Sequence, residues 1–511
     1  MTPPPLGKVS VAILSWNGRH HLETCLLALA AQRDPGVEWE VLVLDNGSTD
    51  GTREWLRSRY PPPPAGGPSP SSAPAPPPAA RRVRWIESPV NLGFCGGNNR
   101  LVAEASGDAV AFLNNDTRPD PGWLAALVRA LAAAPPDVAA VSGKIVDWEG
   151  ERLDFGRGVM TFDGHAFQLD FRRPLATARV PEDGAELLFA CGGNMLIRRR
   201  SFLEAGGFDE SYFAYLEDVD LGWRLWSGGE RITFVPGAVV HHRSSATSDL
   251  LGLFNRGFLF ERNAFLTAYK NYEPGLWEQV MPALLLTFLS RTQTMLADNN
   301  PGGSSLRIDP YAGWIANTAG PANPNAPGSA SSSAPGPANP AAAAAAEPRP
   351  APAPTAGAAP AGGGAGALRG LRRKWRQHGT RELCRRAAAR LGRELRAAFA
   401  RRRAAPALAP ALTDERTLAQ LRALSYLLSH LEAAAAARAA VQRRRRRPDG
   451  EIFARFPLYL VPTYPGDAAL FADPGFAAWL PPGLPVLRRA LDEVMAVDSA
   501  TAPADGRRSP G

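Results

Sequence analysis

Apolar runs alternate with amphipathic segments over the first 135 positions of the chain. VSVAIL at 9–14, EVLVL at 40–44 and AVAFL at 109–113 are short runs of the kind that form buried strands. Leucines at helical spacing between the first two runs, such as Leu22 and Leu26, indicate a helix. Strands that alternate with helices in this way predict an α/β fold with a doubly wound, mostly parallel sheet of the Rossmann-like kind.

Composition divides the chain into segments. Its 511 residues include 49 Pro and 49 Gly, roughly 19% of the total against a usual share of about 12%. This excess lies largely in 61–80 and 301–370, which cannot bury enough apolar surface to order and are predicted to be disordered. The predicted organisation is a folded domain at 1–272 with the Pro-rich insertion 61–80, a helical extension at 273–300, the linker 301–370, a basic Ala/Arg-rich helical region at 371–447, and a partly ordered C-terminal tail at 448–511.

The net charge of +8 belongs to one segment of the chain. Residues 371–447 carry about +16, so the rest of the chain is mildly acidic. Three interpretations stay open for this segment: a solvated helical extension, a peripheral contact with an anionic membrane, or a nucleic-acid footprint. Nucleic acid is the least favoured because few aromatic residues interleave the arginines.

Cysteine spacing and hydropathy bear on the compartment. Cys25, Cys95, Cys191 and Cys384 form no CxxC pair, which excludes a zinc ribbon and fits reduced thiols. The N-terminus does not have the pattern of a secretory signal, and the apolar stretch 281–289 is too short to cross a bilayer. We therefore expect a cytoplasmic protein, with peripheral association at the inner face of the plasma membrane as a further possibility.

Acidic residues recur where predicted strands end or helices begin. They are Asp45, Asp116 and the pair Glu217–Asp218. One such acid alone is more often a helix cap or a turn residue. An enzyme that handles a nucleoside diphosphate, however, needs a carboxylate for the base or ribose, one for a divalent metal, and one as a base. Their joint occurrence on a βαβ pattern favours that chemistry.

Seven short motifs carry a resemblance to a known family over roughly residues 9–271. They are SWN at 15–17, LDNGSTDGT at 44–52, NLGF at 91–94 with Gly97–Asn98, NND at 114–116, GGNMLIRR at 192–199, FDE at 208–210 and EDVDL at 217–221. In this order they resemble inverting nucleotide-sugar glycosyltransferases of family 2, which have the GT-A fold, and within that family the rhamnosyltransferase-like bacterial branch. The resemblance implies a part in cell-wall or polysaccharide biosynthesis.

The resemblance also implies a donor site and a metal site. The metal, Mg²⁺ or Mn²⁺, would be held by Asp116 and His241. Asn114 and Asn115 replace the first acid of the family's DxD-type motif, which implies weaker metal affinity or a metal supplied mainly by the substrate phosphates. The residues implied in donor binding are Ser15, Trp16, Asn17, Asp45, Asn98 and Asn115.

The reaction implied by the resemblance uses Asp218 as general base, with Glu217 beside it and Asp220 paired to Arg224. A sugar, rhamnose or another hexose, would pass from a nucleoside-diphosphate donor to a hydroxyl of a lipid-linked or cell-surface glycan acceptor. A nucleotide-sugar-binding or scaffold protein that interacts through the basic segment remains the alternative. For Arg262, in a later predicted helix, a solvated helix face is the favoured interpretation.

Overall fold

The structure of the chain, a computed structural model, describes residues 6–61, 83–243, 252–299, 415–464 and 466–496. All of these belong to one compact unit. The predicted insertion, apart from its first residue, and the predicted linker lie outside the described residues, as does the first part of the basic segment, 371–414.

The described strands are β1 Lys8–Ser15, β2 Glu38–Asn46, β3 Val83–Ser88, β4 Ala109–Leu113, β5 Thr117–Pro119, β6 Val138–Asp147, β7 Leu153–Phe155, β8 Gly158–Met160, β9 Ala166–Gln168, β10 Asn194–Arg198, β11 Arg231–His242, β12 Leu458–Leu460 and β13 Val486–Arg488. One large sheet forms the centre of the fold, in the order β3-β2-β1-β4-β10-β6-β11-β5, with β7 paired to β6, while β8-β9 and β12-β13 are separate pairs. Pairs β3-β2, β2-β1, β1-β4 and β6-β11 are parallel, whereas β10 runs antiparallel to both of its neighbours.

Helices cover both faces of this sheet. Those of the N-terminal part are α1 Arg19–Ala30, α2 Thr52–Arg59, α3 Gly93–Glu104, α4 Trp123–Ala133, α5 Arg199–Ala205, α6 Glu217–Ser227, α7 Gly252–Asn271 and α8 Pro274–Asn299. Those of the C-terminal part are α9 Glu415–Ser429, α10 Leu431–Arg444, α11 Asp449–Arg455, α12 Asp467–Ala472, α13 Pro474–Ala477 and α14 Leu491–Val494. No described helix is both long and apolar enough to cross a membrane.

Alternation along β1 builds two hydrophobic cores. Val9, Val11 and Ile13 point to the face that α1 and α4 cover, whereas Ala12 packs on the other face, with α3, α5, α6 and α7. Because successive side chains of a strand point to opposite faces, a strand that is apolar throughout must be covered on both sides. The predicted doubly wound, mostly parallel α/β sheet is confirmed.

The C-terminal part packs directly on the N-terminal domain. Phe453 of α11 and Phe456 lie edge-on to the indoles of Trp223 and Trp226 on α6, at centroid distances of 5.4 and 4.9 Å. Trp223 also donates its indole N–H to Asp449 Oδ1 at 3.2 Å. The predicted domain end at residue 272 therefore does not separate these parts in space, and the C-terminal residues complete the core behind α6.

Arginines of the basic run 443–447 take part in this docking. Arg445 donates to Asp449 Oδ1 at 2.8 Å, and Arg447 donates to the Trp226 carbonyl at 3.0 Å with its guanidinium 4.9 Å from the Trp226 ring. Arginine forms such forked and stacked contacts readily because its guanidinium is planar. Arg445 and Arg447 are thus engaged within the molecule, so this end of the basic segment is not wholly a solvated extension.

A buried ion network joins α8 to the C-terminal part. Arg291 donates to Asp467 through two nitrogens, at 2.8 and 3.1 Å, and to Asp163 at 2.8 Å. His165 lies between Asp163 and Glu261, with ring nitrogens 3.2 and 3.4 Å from their carboxylates. Burial alone would lower the pKa of His165, but these two carboxylates raise it to about 9. The network therefore places each of these buried charged groups next to a partner of opposite charge.

Candidate functional site

The C-terminal ends of β1, β2 and β4 bring together three of the predicted donor-site residues. Ser15 pairs with Asp45 in the β1-β2 register, and both side chains are fully buried. Asn115, two residues after β4, donates its amide to Ser15 Oγ at 3.2 Å. A Cβ on Gly18 would come within 2.3 Å of this amide, so the close approach requires glycine.

The Asp45 carboxylate has one paired and one unpaired oxygen. Oδ2 accepts from Arg53 Nε at 3.1 Å, while Oδ1 is buried without a hydrogen-bond partner. Arg53 also donates to the Ser88 carbonyl at 3.3 Å, which fixes it beside the acid. Since buried carboxylate oxygens are rarely left unpaired, Oδ1 is an acceptor suited to a donor group of a ligand.

Of the other predicted donor residues, Trp16 and Asn17 lie in the loop after β1, whereas Asn98 lies on helix α3. Asn17 has a left-handed backbone, φ 51°, and its Oδ1 accepts from the Thr49 N–H at 2.7 Å, which ties the loop after β1 to the loop after β2. Trp16, next to it, is half-buried. Asn98 lies on α3, where its amide donates to the Phe94 carbonyl one turn earlier at 3.0 Å.

Asp116 stands at one end of a three-residue chain of hydrogen bonds. Its Oδ1 lies 3.4 Å from Nε2 of His242, and Nδ1 of His242 lies 2.9 Å from Oδ2 of Asp154 on β7. Burial alone would lower the pKa of His242, but the two carboxylates raise it to about 10. Burial alone would raise the pKa of Asp116, and the hydrogen bond with His242 holds it below its ordinary value instead.

The structure does not bring His241 to Asp116. Adjacent residues of a strand point to opposite sides, and His241 instead lies with Nε2 3.3 Å from Asp120 and Nδ1 3.2 Å from the Trp148 carbonyl. The histidine beside the predicted metal ligand is therefore His242, and the sequence-based choice between the two neighbours is corrected on this geometry.

The residues at Asp116 fit a divalent ion with two protein ligands. A histidine that binds a metal commonly donates its other ring N–H to a carboxylate, as Nδ1 of His242 can to Asp154. Nε2, which faces Asp116, would release its proton when an ion binds there. Within the described ranges no three His, Cys, Asp or Glu side chains are grouped to hold a metal alone. The remaining ligands would have to come from substrate phosphates and water, which suits Mg²⁺ or Mn²⁺.

Glu217 and Asp218 begin helix α6. Burial raises the pKa of Asp218 to about 6, although the Gly192 N–H at 3.3 Å and the Val219 N–H at 2.9 Å donate to its carboxylate. Burial and the adjacent Asp218 raise the pKa of Glu217 well above its usual range. Asp218 remains partly exposed, so a carboxylate with a raised pKa can be reached from outside.

One close approach relates this pair to the rest of the site, and a second contact lies within α6. A Cβ on Gly193, one residue after the Gly192 that donates to Asp218, would lie 2.8 Å from the amide of Asn114, so the loop beside Asp218 touches the loop before Asp116. Asp220 accepts from Arg224 Nε at 2.9 Å, which confirms the predicted pair one helical turn apart. Asp116 and the pair Glu217–Asp218 therefore border the same region.

The backbone just before α6 is strained. Phe213, Tyr215 and Leu216 all have positive φ, at 63°, 70° and 62°. At Phe213, where ψ is −59°, the Ala214 N–H donates to the Tyr212 carbonyl at 2.7 Å, the rare form of the γ-turn. Each such residue costs on the order of 1 kcal/mol or more. Strain of this size persists only where the surroundings fix the backbone.

Sequence reasoning did not find His242, Asp154 or Arg53. Strand alternation shows that His241 and His242 face opposite ways, but not which of them meets Asp116. Asp154 reaches the site only because β7 folds back on β6. Arg53 is the second residue of α2, eight positions after Asp45. The only signal in the sequence for this ion pair was a basic residue in the first turn of the helix that follows the acid.

Comparison with known proteins identifies the family of the chain. The sequence profile described as Glycosyl transferase family 2 matches residues 10–206. The N-acetylglucosaminyl-diphospho-decaprenol L-rhamnosyltransferase of Mycobacterium tuberculosis is 33% identical over 258 residues, which are 46% of this chain and 76% of that enzyme. Glycosyltransferase AglE of Haloferax volcanii is 24% identical over 245 residues, 48% of this chain and 69% of AglE.

Among solved structures, GalNAc-T7 with UDP, GalNAc and Mn²⁺ aligns with 55% of this chain and 52% of its own, at 13% identity and a TM-score of 0.40. The Staphylococcus aureus protein TarS, residues 1–349, aligns with 59% of this chain and 75% of its own, at 16% identity and a TM-score of 0.36.

Proposed function

Because the chain belongs to glycosyl transferase family 2 and is a glycosyltransferase of the GT-A fold, we propose that it moves a sugar, rhamnose or another hexose, from a nucleoside-diphosphate donor to a hydroxyl of a lipid-linked or cell-surface glycan, with inversion. The observation that carries this proposal is the 33% identity to a rhamnosyltransferase over 76% of that enzyme's length. By its name, that enzyme acts on a lipid-linked sugar diphosphate.

In this proposal Asp218 is the general base. Its carboxylate takes the proton of the acceptor hydroxyl as the hydroxyl oxygen attacks the anomeric carbon, opposite the departing nucleoside diphosphate. A base works best when its pKa is near the operating pH, and the pKa of about 6 lets Asp218 accept a proton readily while it stays ionised at neutral pH. Burial and the neighbouring Asp218 raise the pKa of Glu217 well above its usual range, so Glu217 ionises less readily than an exposed glutamate.

The donor nucleoside is proposed to lie at the ends of β1 and β2. Asp45 Oδ1, the buried oxygen without a partner, would accept from an N–H of the base or an O–H of the ribose. Ser15, Asn17 and Asn115 hold the loops around it, and the half-buried Trp16 follows β1.

Asp45→Asn is expected to weaken donor binding roughly tenfold to hundredfold, because a hydrogen bond to a charged acceptor is worth about 1.5–3 kcal/mol. A thermal-shift panel of nucleoside-diphosphate sugars identifies the donor class through the one that stabilises the wild type, and calorimetry then gives its affinity for both proteins. Glu54→Gln, an exposed acid on α2, is the matched control. Unchanged affinity in Asp45→Asn would remove this acid from the donor site.

A divalent ion is proposed at Asp116 and His242, with Asp154 orienting the histidine. When bound, such an ion offsets the negative charge that develops on the departing diphosphate. Asp116 is 6% exposed, so its carboxylate meets few waters and can face the donor phosphates. His241 is not placed in this site.

Asp154→Asn is expected to weaken Mn²⁺ binding about tenfold to hundredfold, because partners that orient a metal ligand typically contribute that much. Calorimetric titration of Mn²⁺ in the presence of a nucleoside diphosphate measures the effect without turnover. Asp120→Asn, which removes the acid beside His241 instead, is the control. Equal Mn²⁺ affinity in Asp154→Asn and wild type would contradict the assignment of His242.

The scaffold alternative is separated by a transfer assay. The proposed enzyme releases nucleoside diphosphate from the stabilising donor when a lipid-linked or glycan acceptor is present. Donor binding with no transfer to any acceptor, together with loss of localisation on deletion of 371–414, which spares α9 and α10, would favour the scaffold. Peripheral contact with an anionic membrane at the cytoplasmic face stays a prediction. Of the basic run 443–447, Arg443, Arg444 and Arg446 remain exposed for such contact.

A further inference from the structure

Helix α7 holds the strained turn before α6 through one buried amide. Nδ2 of Asn263 lies 3.1, 2.8 and 2.7 Å from the carbonyl oxygens of Tyr212, Ala214 and Tyr215. Asn263 is fully buried. One side chain thus contacts three of the four carbonyls between residues 212 and 215, the part of the chain where the backbone is least favourable.

Arg262 orients this amide. Its Nε donates to Asn263 Oδ1 at 2.9 Å, which leaves the Asn263 nitrogen to face the turn, and a second nitrogen donates to the Tyr212 carbonyl at 2.7 Å. The guanidinium lies 4.7 Å from the ring of Tyr426 on α9. The predicted solvated helix face for Arg262 is therefore wrong, because α9 of the C-terminal part covers it.

Helix α3 fixes the turn from its other side. The fourth carbonyl, of Phe213, accepts from the Cys95 N–H in the first turn of α3 at 3.1 Å. A Cβ on Gly93 would lie 2.5 Å from the Phe213 ring, so the turn is in tight contact with the start of this helix. The carbonyls of the turn are thus all engaged, by α7 or by α3.

We propose that Asn263 is a positioning residue for Asp218, a role that rests on the proposed function of Asp218 as base. Leu216, the last residue of the turn with positive φ, is the N-cap of α6, and its carbonyl accepts the Asp220 N–H at 3.0 Å. The direction in which α6 presents Asp218 to the Gly192 N–H is therefore set by the turn. Without the donors of Asn263, the turn relaxes toward ordinary backbone angles and the carboxylate shifts from its position.

Asn263→Asp tests the proposal because a carboxylate has the same shape but no hydrogen to donate to the three carbonyls. We expect kcat per donor-binding site to fall about tenfold to hundredfold, as a displacement near 1 Å can cost this much, while donor affinity by calorimetry stays within about twofold. Faster amide hydrogen exchange is expected over 212–219. Counting turnover per donor-binding site removes any loss that comes only from unfolded protein.

Two further variants make the outcome decisive. Tyr272→Phe removes a buried hydrogen bond to the Phe162 carbonyl just after α7 and should lower the melting temperature without changing kcat per site. Arg262→Lys loses the bond from Nε to Asn263 Oδ1 and should reduce kcat per site less than Asn263→Asp does. If Asn263→Asp does not fold, Arg262→Lys replaces it as the test of the proposal. Wild-type kcat per site in Asn263→Asp, or in Arg262→Lys where it replaces that variant, overturns the proposal.

The same assay separates this proposal from the proposed function. If Asp218→Asn abolishes transfer and Asn263→Asp does not reduce it, the positioning role fails and the base stands. If Asp218→Asn transfers sugar at the wild-type rate, the assignment of the base fails, and the positioning role fails with it.

Discussion

Asp218→Asn is expected to lower kcat by about 10²- to 10⁴-fold, the usual contribution of a general base. Asparagine keeps the shape of the side chain and a carbonyl oxygen that can accept from the Gly192 N–H, but it cannot take a proton from the acceptor hydroxyl. Donor affinity should therefore stay near wild type. Single-turnover transfer from the stabilising nucleotide sugar measures the chemical step, and calorimetry measures the binding.

The pH dependence of kcat in the wild type is a second test of Asp218 as the base. A base must be ionised to act, so kcat is expected to fall as pH drops through about 6, where Asp218 takes up a proton. Glu210→Gln removes an exposed acid from the segment before α6 and should keep both the rate and this pH limb. Turnover close to wild type in Asp218→Asn would rule out Asp218 as the base.

Arg291→Met is expected to lower the free energy of unfolding by about 3–5 kcal/mol, the usual cost of breaking a buried ion pair on one side. Arg291 is 4% exposed and pairs with both Asp163 and Asp467. Its removal leaves the Asp467 carboxylate buried with only backbone N–H partners. Urea unfolding with an unchanged m-value measures the loss.

A double substitution identifies the cause of this loss. Arg291→Met with Asp467→Leu removes the stranded charge together with its partner and should recover part of the stability, because apolar replacements of buried pairs are often well tolerated. Arg200→Ala breaks an exposed pair with Glu204 on α5 and should leave the unfolding midpoint unchanged. A small effect of Arg291→Met, comparable to that of Arg200→Ala, would show that this network does not hold the C-terminal part.

Local patterns were sufficient for the sheet. Runs such as 11–14 and 41–44 are apolar at every position, which indicates strands covered on both faces, and the segment between them has leucines at helical spacing. The acids at the strand ends could also be located from the sequence. Parallel strands end at the same edge of a sheet, so Asp45 and Asp116 were expected at that edge.

The choice between His241 and His242 required the tertiary structure. Both residues belong to β11, and only the register of that strand with β5 and β6 decides which side chain meets Asp116. The partner Asp154 comes from a strand nearly ninety positions earlier, whose place depends on its pairing with β6.

The sequence by itself determined the doubly wound sheet, the loop acids and the family, because these depend on periodicity and on motifs read within a few residues. Only the tertiary structure decided that the C-terminal part covers α6 and α7, that Arg262 is buried, and that Asn263 faces the strained turn before Asp218. Each of these contacts joins residues about 50 or more positions apart along the chain, a separation at which side-chain patterns carry no information about which surfaces meet.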